Sequence, residues 1–455
     1  MAVANTTLAE RMARYAGNLK FENLPPLVVH EVKRRVIDSF GCALGAWDAE
    51  PCVRARRVAM QFSTERGATV WGTPHRAPVD WAAFANGCCV RYLDYNDTYL
   101  SKEPAHPSDN IPAAFAVAEA EGASGRDLIT AVTLAYEIQC RLCDAASIRA
   151  RGWDHVTYGA FSTALAAAKL MRLDIERTRH AVNIAGVNSA ALRQARVGEL
   201  SHWKGCAFAN AARHGVFAAM LAREGMTGPS PIFEGEKGFE KLISGPLDVA
   251  LPSDDFMILK TSIKFWPAEY HSQSAIEAAL RLRKQIRDAE EIGSVLIQSH
   301  DAAIDIIGSE PQKWRPTSRE TADHSLPYIV AVALVDGEVT GRQFHPKRIA
   351  DPKLLELVQR VKVERHAELT ARYPEVVGNI VTLKTTDGRT LTERVDSPHG
   401  SAKNQLADAE VDDKFLMLAN PRMDRDRVEA LLHWLWRLDE ASDLSQFPSL
   451  LEVRQ

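Results

Sequence analysis

Two short polar runs in the first quarter of the chain contain the side chains best suited to acid–base chemistry. The first run holds Asp94, Asn96, Asp97 and Thr98, and the second, eight residues later, holds His106, Ser108, Asp109 and Asn110. Such residues compete for backbone hydrogen bonds, so this cluster does not fit a helix interior. Aromatic and apolar residues between them do not fit a solvated loop. The pattern predicts a polar pocket wall between two helices.

Other polar groups lie further along the chain, and each has a second interpretation. His155 stands near a predicted helix start, where the helix dipole disfavours a cation; it is either a neutral base or donor, or a capping or core histidine. Lys204, close to Arg196, is either a solvated flank or an anion clamp. Lys264, Glu269 and His271 surround a proline among aromatic residues, which is unusual for a plain surface loop.

Common catalytic and metal-binding motifs are missing from the sequence. It contains no G-x-G-x-x-G, no Walker loop, no H-E-x-x-H and no G-x-S-x-G. Cys140 and Cys143 form a C-x-x-C, but inside a predicted helix and with no second pair, so a redox or metal role is disfavoured. The seven cysteines show no secreted-protein spacing, which predicts reduced thiols in the cytoplasm.

Composition limits the class of protein and the kinds of partner. The chain has 455 residues, 46% of them hydrophobic and 25% charged, as in soluble globular proteins of about two to three domains. Its formal net charge is −4 without a clustered basic run, which argues against a nucleic-acid partner. We find no stretch of 18 apolar residues and no signal core, so neither a membrane span nor secretion is expected; a mitochondrial presequence is the weaker alternative.

The elements that must position these side chains are mostly helical over the first 260 residues. Apolar residues recur at helical spacing from Val28 to Leu44, and a capping box at Ser124–Asp127 precedes a helix predicted over Leu128–Ala146. Alanine-rich helices are predicted at Thr163–Met171 and Ala207–Leu221. Small side chains allow helices to pack closely, so we expect helix-on-helix layers.

The pattern changes near residue 260, where short β-rich runs begin. Strands are predicted at Val295–Ile297, Val361–Val363 and Ile380–Leu383, with a hairpin turn at Asp387-Gly388. Helices are predicted between them at Ile276–Arg287 and Leu326–Val335, and a last helix follows at Asp426–Leu438. The fold class predicted is mostly α, a discontinuous all-helical domain of residues 1–262 and 404–455 with an inserted smaller α+β domain of residues 263–403.

Several of these motifs, in this order, closely resemble the MmgE/PrpD family over nearly the whole chain. They are Asp94–Asn110, Gly152–Thr157, Arg196–Gly215, Gly225–Pro229 with Phe233–Glu236, Lys264–Gln273 and His324–Tyr328. Asn404-Gln405 departs from the Asn-Pro that is usual in the family. The resemblance implies that the inserted α+β domain is a lid, and that the protein is a homodimer that uses no metal or organic cofactor and acts on a small tricarboxylate. The expected location is the cytoplasm, or the mitochondrial matrix if the source is eukaryotic.

The resemblance also implies an activity and a set of site residues. The expected reaction is elimination of water from 2-methylcitrate in propionate breakdown, because the decarboxylase branch of the family has a His at the position of Glu269. Decarboxylation of cis-aconitate, a related isomerisation, and a non-catalytic binding protein remain alternatives. The active-site residues carried over by position are Asp94, Thr98, His106, His155, Lys204, Lys264 and Tyr328, and all of them except Thr98 are expected to be catalytic.

Roles within this set stay open at this point. His106 or Asp94 is the candidate base, and His155 or Tyr328 the candidate acid. Side chains expected to bind and orient the substrate are Thr98, Ser108, Asn110, Arg196, Glu269 and His271. Asp97 either fixes His106 or caps a helix.

Overall fold

The computed structural model describes residues 6–251 and 255–453, which are mostly helical. The first part contains α1 (Leu8–Asn18), α2 (Pro26–Gly45), α3 (Glu50–Ala59), β1 (Ala68–Thr69), β2 (Arg76–Ala77), α4 (Val79–Tyr92), α5 (Ile111–Ala120), α6 (Gly125–Ala145), α7 (Val156–Leu170), α8 (Ile175–Asn188) and α9 (Trp203–Arg223).

The second part mixes helices with strands, and the chain then returns to helix. This part contains α10 (Gln273–Arg283), β3 (Ile292–Ser299), α11 (Asp301–Ala303), α12 (Arg319–Ala322), α13 (Leu326–Asp336), α14 (Pro346–Ile349), α15 (Pro352–Val358), β4 (Val361–Arg365), α16 (Ala367–Ala371), β5 (Asn379–Thr385) and β6 (Thr390–Val395). The last elements are α17 (Asp408–Ala419), α18 (Arg425–Trp436) and α19 (Phe447–Leu450).

Local sequence signals explain where several elements begin. The capping box before α6 forms as predicted, with the Ser124 side chain accepting from the Asp127 amide and the Asp127 side chain accepting from the Ser124 amide. Helix α7 begins seven residues before the predicted Thr163; its N-cap residue, His155, makes no side-chain capping bond, and the Val156 amide donates to Asp154 Oδ1 at 3.4 Å. The mostly α fold class is confirmed.

The sheet of the second part has the strand order β4-β3-β5-β6. Strand β3 pairs with β4 in parallel and with β5 in antiparallel orientation, and β5 and β6 form an antiparallel hairpin. Leu383 lies opposite Leu391 across that hairpin, and Gly388 in its turn has a φ of 89°. The predicted hairpin at Asp387-Gly388 is therefore confirmed.

Two hydrophobic cores divide the described residues. The first is built from residues between Leu8 and Ile263 together with residues between Leu406 and Val453. The second is built from residues between Trp266 and Val395. Helix α17 returns to α2 so closely that a Cβ on Gly41 would lie 3.2 Å from the Cα of Phe415. The domain boundaries at 262 and 404 remain a prediction, and the cores are consistent with it.

In the part of the chain that the structure describes, no helix is both long and apolar enough to cross a bilayer.

Candidate active site

A cavity of about 670 Å³, its mouth included, lies where the two cores meet. Both parts of the chain line it. The predicted site residues that face it are Asp94, Thr98, His106, His155, Arg196, Lys264, Glu269 and His271. The fold thus brings distant residues into contact, for example Asp94 and Lys264, which are 170 positions apart in the sequence.

Asp94 lies at the centre of the charged groups. It follows α4 with a φ of 52°, a left-handed conformation that Asp tolerates better than most residues. The Nζ of Lys264 donates to the Asp94 carbonyl at 2.8 Å and to Oδ1 at 3.0 Å, and Arg91 pairs with Oδ1 as well. Burial alone would raise the pKa of the Asp94 carboxyl, but Arg91, Lys204 and Lys264 hold it well below its ordinary value. Asp94 is therefore a fixed anion.

His106 is held in one tautomer by its neighbours. Its Nδ1 lies 2.7 Å from the carbonyl oxygen of Asp97, so Nδ1 carries the proton. Arg91 is always a donor, and its NH2 lies 3.0 Å from Nε2, which therefore accepts. Burial, Arg91 and Lys264 lower the pKa of His106 well below its ordinary value. Because its only lone pair is already engaged, His106 is poorly placed to take a proton from substrate.

His155 presents a free lone pair instead. Asp154 Oδ1 lies 2.9 Å from His155 Nδ1, and Asp154 Oδ2 accepts from Arg196 Nε at 2.9 Å. The opposite nitrogen of His155, Nε2, is buried and has no hydrogen-bond partner among the described residues. Burial lowers the pKa of His155, although Asp154 opposes that shift, so the ring is neutral at pH 7. This arrangement is that of a carboxylate-oriented general base.

Asp154 itself is kept ionised. Burial would raise the pKa of its carboxyl, but Arg196 and His155 lower it below the ordinary value. Asp154 is fully buried, and its backbone amide donates to the carbonyl of Ala191 at 2.8 Å. It therefore joins the start of α7 to the loop that carries Arg196.

Lys204 and His324 complete the charges around Asp94. The Nζ of Lys204 lies 3.4 Å from Asp323 Oδ1 and 3.8 Å from Asp94 Oδ2. His324 faces the cavity, with its Nδ1 2.7 Å from Asp323 Oδ1 and its Nε2 3.7 Å from Asp94 Oδ2. Burial and Lys204 lower the pKa of His324. Lys204 lies behind the cavity wall, so it acts on Asp94 rather than lining the cavity.

Glu269 is locked against His271. Its Oε1 lies 2.7 Å from the His271 Nδ1, and its Oε2 accepts from the His271 amide at 2.8 Å. Burial would raise the pKa of Glu269, but His271, His324 and Lys264 lower it to about 2. The carboxylate therefore carries no proton at neutral pH.

Three predicted residues point away from the cavity. The Asn110 side chain donates to Gln139 and to the Pro107 carbonyl, while its oxygen accepts from Ser162 and Thr163. Ser108 accepts from the Asn96 amide. With these bonds satisfied inside the protein, Asn110 and Ser108 hold the fold together, and the predicted substrate contacts are not supported.

Tyr328 is the third predicted residue that points away from the cavity. Its ring is buried in the second core, and its hydroxyl donates to the carbonyl of Gln343 at 2.6 Å. Burial raises its pKa further above the ordinary value. The geometry therefore argues against the predicted role of Tyr328 as an acid at this cavity.

Several residues at the cavity were not among the predicted ones. Arg91 pins both Asp94 and His106, and Asp154 orients His155. Arg91 falls three positions before Asp94 at a helix end, a spacing that already permits an ion pair. Asp154 adjoins His155 in sequence. The sequence does not show that Arg149 and Arg193 would also line this cavity.

One group of possible metal ligands occurs within residues 6–251 and 255–453. Ligand atoms of Asp94, Asp323 and His324 lie within 4.8 Å of one another. The ammonium groups of Lys204 and Lys264 contact these same carboxylates. The two lysine ammonium groups thus already neutralise these carboxylates. The three side chains therefore fit a carboxylate–ammonium network better than a site for a divalent cation.

A larger groove, of about 930 Å³, also touches Asp154. Its other walls run from Asn188 to His214 and are mostly small and apolar residues. None of the predicted site residues lines it. Size alone therefore does not identify the site, and the cluster of perturbed titratable groups does.

Comparison with known proteins matches both parts of the chain to family models. Residues 10–251 match the MmgE/PrpD N-terminal domain, and residues 266–438 match the MmgE/PrpD C-terminal domain.

Curated relatives of two activities match at similar identity. Mouse (Mus musculus) cis-aconitate decarboxylase is 29% identical over 98% of this chain and 93% of its own length. The 2-methylcitrate dehydratases of Cupriavidus necator and Escherichia coli K12 are each 29% identical, over 82% and 81% of this chain and the same shares of their own lengths.

Proposed function

The chain belongs to the MmgE/PrpD family, and we propose that it is a cofactor-independent lyase that removes water from 2-methylcitrate to give 2-methyl-aconitate. Lyase activity is common to the dehydratase and decarboxylase relatives of this family. The choice of dehydration within the family depends on one residue, Glu269, as argued below.

We assign the general base to His155. His155 lines the cavity, its Nε2 has no hydrogen-bond partner among the described residues, and Asp154 holds the neutral ring through Nδ1. In the proposed step, Nε2 takes the proton from the carbon beside a substrate carboxylate, and that C–H electron pair forms the new double bond. Asp154 then stabilises the imidazolium that results.

We assign the general acid to Lys264. Lys264 lines the cavity, and two of its N–H groups are directed to Asp94, which leaves one for substrate. Burial lowers the pKa of Lys264, although Asp94 opposes the shift, and a lower pKa makes proton donation easier. As the C–O bond breaks, Lys264 gives a proton to the departing hydroxyl, which leaves as water.

Removing a proton beside a carboxylate adds charge to that carboxylate. Arg196 shares Asp154 with His155, so its guanidinium lies next to the proposed base. Its NH2 is buried without a hydrogen-bond partner among the described residues. We place Arg196 NH2 on the carboxylate that gains charge, where a preorganised donor stabilises the transition state more than the ground state.

Glu269 is the observation that favours dehydration. Decarboxylation of cis-aconitate must deliver a proton to the carbon that receives the electron pair when CO2 leaves. Glu269 faces the cavity with a pKa of about 2, so at neutral pH it cannot be the group that delivers this proton, and decarboxylation would have to take it from another residue such as Lys264. A His at this position, as in the decarboxylase branch, would have a proton to give.

Decarboxylation remains the second candidate because the mouse decarboxylase aligns with 98% of the chain, against 82% for the dehydratase of Cupriavidus necator. One assay separates the two. Metal-stripped protein is mixed with 2-methylcitrate, citrate or cis-aconitate, and the absorbance of the conjugated product and the release of CO2 are followed. We expect product from 2-methylcitrate and no CO2; CO2 from cis-aconitate without product from 2-methylcitrate would refute the proposal.

A matched pair of lysines tests the assigned acid. Lys264→Met should abolish turnover, whereas Lys260→Met removes an exposed lysine four residues earlier and should leave turnover unchanged. Thermal unfolding of both variants checks that they are folded. Near-normal turnover by Lys264→Met would remove this residue from the mechanism.

Residues 263–403 are proposed to act as a lid, because they supply Lys264, Glu269, His271 and His324 to a cavity whose other wall comes from the helical part. Limited proteolysis with and without a tricarboxylate tests closure, and unchanged cleavage would argue against it. A homodimer, a place in propionate breakdown and a cytoplasmic or mitochondrial location remain parts of the proposal.

A further inference from the structure

Three arginines form one wall of the cavity: Arg149, Arg193 and Arg196. They come from two short turns, Arg149–Arg151 and Arg193–Arg196. Backbone pairing holds the two turns together. Trp153 and Leu192 form an isolated antiparallel β-bridge, and the Arg193 amide donates to the Gly152 carbonyl at 2.9 Å. The backbone therefore fixes the relative positions of the two turns that carry these arginines.

The positive charges of this wall are only partly balanced by carboxylates of the protein. Arg196 is paired with Asp154, as described above. Arg149 and Arg193 have no carboxylate oxygen within 4 Å of their guanidinium nitrogens in residues 6–251 and 255–453. The NH1 of Arg149 is buried and lacks a hydrogen-bond partner in the same residues. Burial and the neighbouring Arg149 lower the pKa of Arg193, although Glu103 opposes the shift.

Glu103 also lines the cavity, and most of its bonding capacity is already used. One of its oxygens accepts from the Ser147 hydroxyl at 2.9 Å and from the amides of Ile148 and Arg149 at 2.8 and 3.0 Å. Its other oxygen is buried without a partner in the described structure. Glu103 thus fixes the turn that carries Arg149 and leaves the wall with a surplus of positive charge.

The charged groups around Asp94 in the same cavity differ in charge balance. There Asp94 is surrounded by Lys264, Lys204 and Arg91, so acids and bases are interleaved. Partly buried guanidinium groups without a carboxylate partner cost free energy until an anion binds them. A guanidinium presents two parallel N–H groups whose spacing matches the two oxygens of a carboxylate.

We propose that Arg149 and Arg193 form a carboxylate subsite, which binds a substrate carboxylate that takes no part in bond breaking. The subsite selects substrates with several carboxylates over monocarboxylates and sets their orientation relative to His155. It rests on the proposed function only in naming a polycarboxylate as the ligand. Binding of an inert polycarboxylate can therefore test it without any turnover.

The test uses calorimetric titration of the full-length protein with tricarballylate, which has three carboxylates and no leaving hydroxyl, and with butyrate, which has one carboxylate. Arg149→Gln and Arg193→Gln should each weaken tricarballylate binding roughly 10- to 100-fold, the range for a lost hydrogen bond to a charged group. Arg151→Gln is the matched control, because Arg151 lies in the same turn, is exposed and does not line the cavity. It should change affinity less than about twofold.

Two more readouts separate binding from general damage. Arg149→Lys keeps the charge but loses the planar pair of donors, so it should retain part of the affinity that Arg149→Gln loses. Butyrate binding should be equal in the wild type and in both Gln variants. For a turned-over substrate, KM should rise more than kcat falls.

Each outcome decides the proposal. Unchanged tricarballylate affinity in Arg149→Gln and Arg193→Gln, an equal loss in Arg151→Gln, or no binding by the wild type would overturn the subsite. If the wild type binds tricarballylate through these arginines but converts none of 2-methylcitrate, citrate and cis-aconitate, the subsite stands and the proposed function fails.

Discussion

Replacing Asp154 by Asn is the sharpest test of the assigned base. The carboxylate of Asp154 bridges two donors, His155 Nδ1 at 2.9 Å and Arg196 Nε at 2.9 Å. In Asp154→Asn, Arg196 can only donate, so the amide oxygen must face Arg196 and the NH2 must face His155. Nδ1 then becomes the acceptor, and Nε2 carries the proton. His155 would present an N–H to the substrate in place of a lone pair.

The expected cost follows from the loss of a correctly oriented base. General-base catalysis with its orienting carboxylate contributes about 10²- to 10⁴-fold, or roughly 3 to 5.5 kcal/mol of barrier. We therefore expect kcat for 2-methylcitrate to fall within that range. KM should change less than about threefold, because Arg196 keeps its acceptor.

Steady-state kinetics at pH 7.5 measure this, with Asp144→Asn as the control. Asp144 is a partly buried acid that accepts from the Tyr99 hydroxyl at 2.6 Å and does not line the cavity. The variant should turn over within about twofold of the wild type. Asp154→Asn retaining kcat within about threefold of the wild type, while folded, would refute His155 as the base. An equal loss in Asp144→Asn would show a general effect on the fold.

Three further predictions concern residues whose roles the structure assigns. Tyr328→Phe should leave kcat within about twofold and lower the free energy of unfolding by about 1 kcal/mol, since it loses only the bond to Gln343; a large loss of kcat with normal stability would restore a catalytic role. Tyr136→Phe should lower the free energy of unfolding by about 1 to 3 kcal/mol in urea titrations, because it leaves one oxygen of buried Asp97 without its 2.7 Å donor; an unchanged midpoint would contradict this. Asp109→Asn tests a pKa: burial raises that of Asp109 to about 7, so the folded state holds a proton that the unfolded state releases near pH 4, and wild-type stability from this group falls as pH rises from about 4 through 7. The variant lacks this loss, so its stability relative to the wild type should improve from pH 5 to pH 8; a difference that is flat with pH would contradict the raised pKa.

Local patterns were enough to predict much of the fold. The capping box at Ser124–Asp127 and the Asp387-Gly388 hairpin are set by hydrogen bonds within a few residues, and both were confirmed. The predicted helix over Ile276–Arg287 is offset, because α10 runs from Gln273 to Arg283. Periodicity marks a buried face but not the residue at which a helix ends.

The candidate site was predicted only as a set of residue types. Clusters such as Asp94–Asn110 and Lys264–His271 marked where polar groups gather, and many of their members face the cavity. Their roles depend on partners far along the chain. Asn110 looks like a substrate ligand until Gln139 and Ser162, 29 and 52 residues away, are seen to satisfy it.

The choice between His106 and His155 as base shows the same division. Both are single histidines beside polar runs, and the sequence cannot rank them. The tertiary structure directs Arg91 to the lone pair of His106 and Asp154 to the proton of His155, so of these two histidines only His155 keeps a ring nitrogen without a partner among the described residues. The sequence by itself determined which elements form and which side chains are available for chemistry, because those depend on neighbours along the chain. Only the tertiary structure decided which nitrogen, oxygen or guanidinium is free to act, because each is engaged or released by contacts between distant segments.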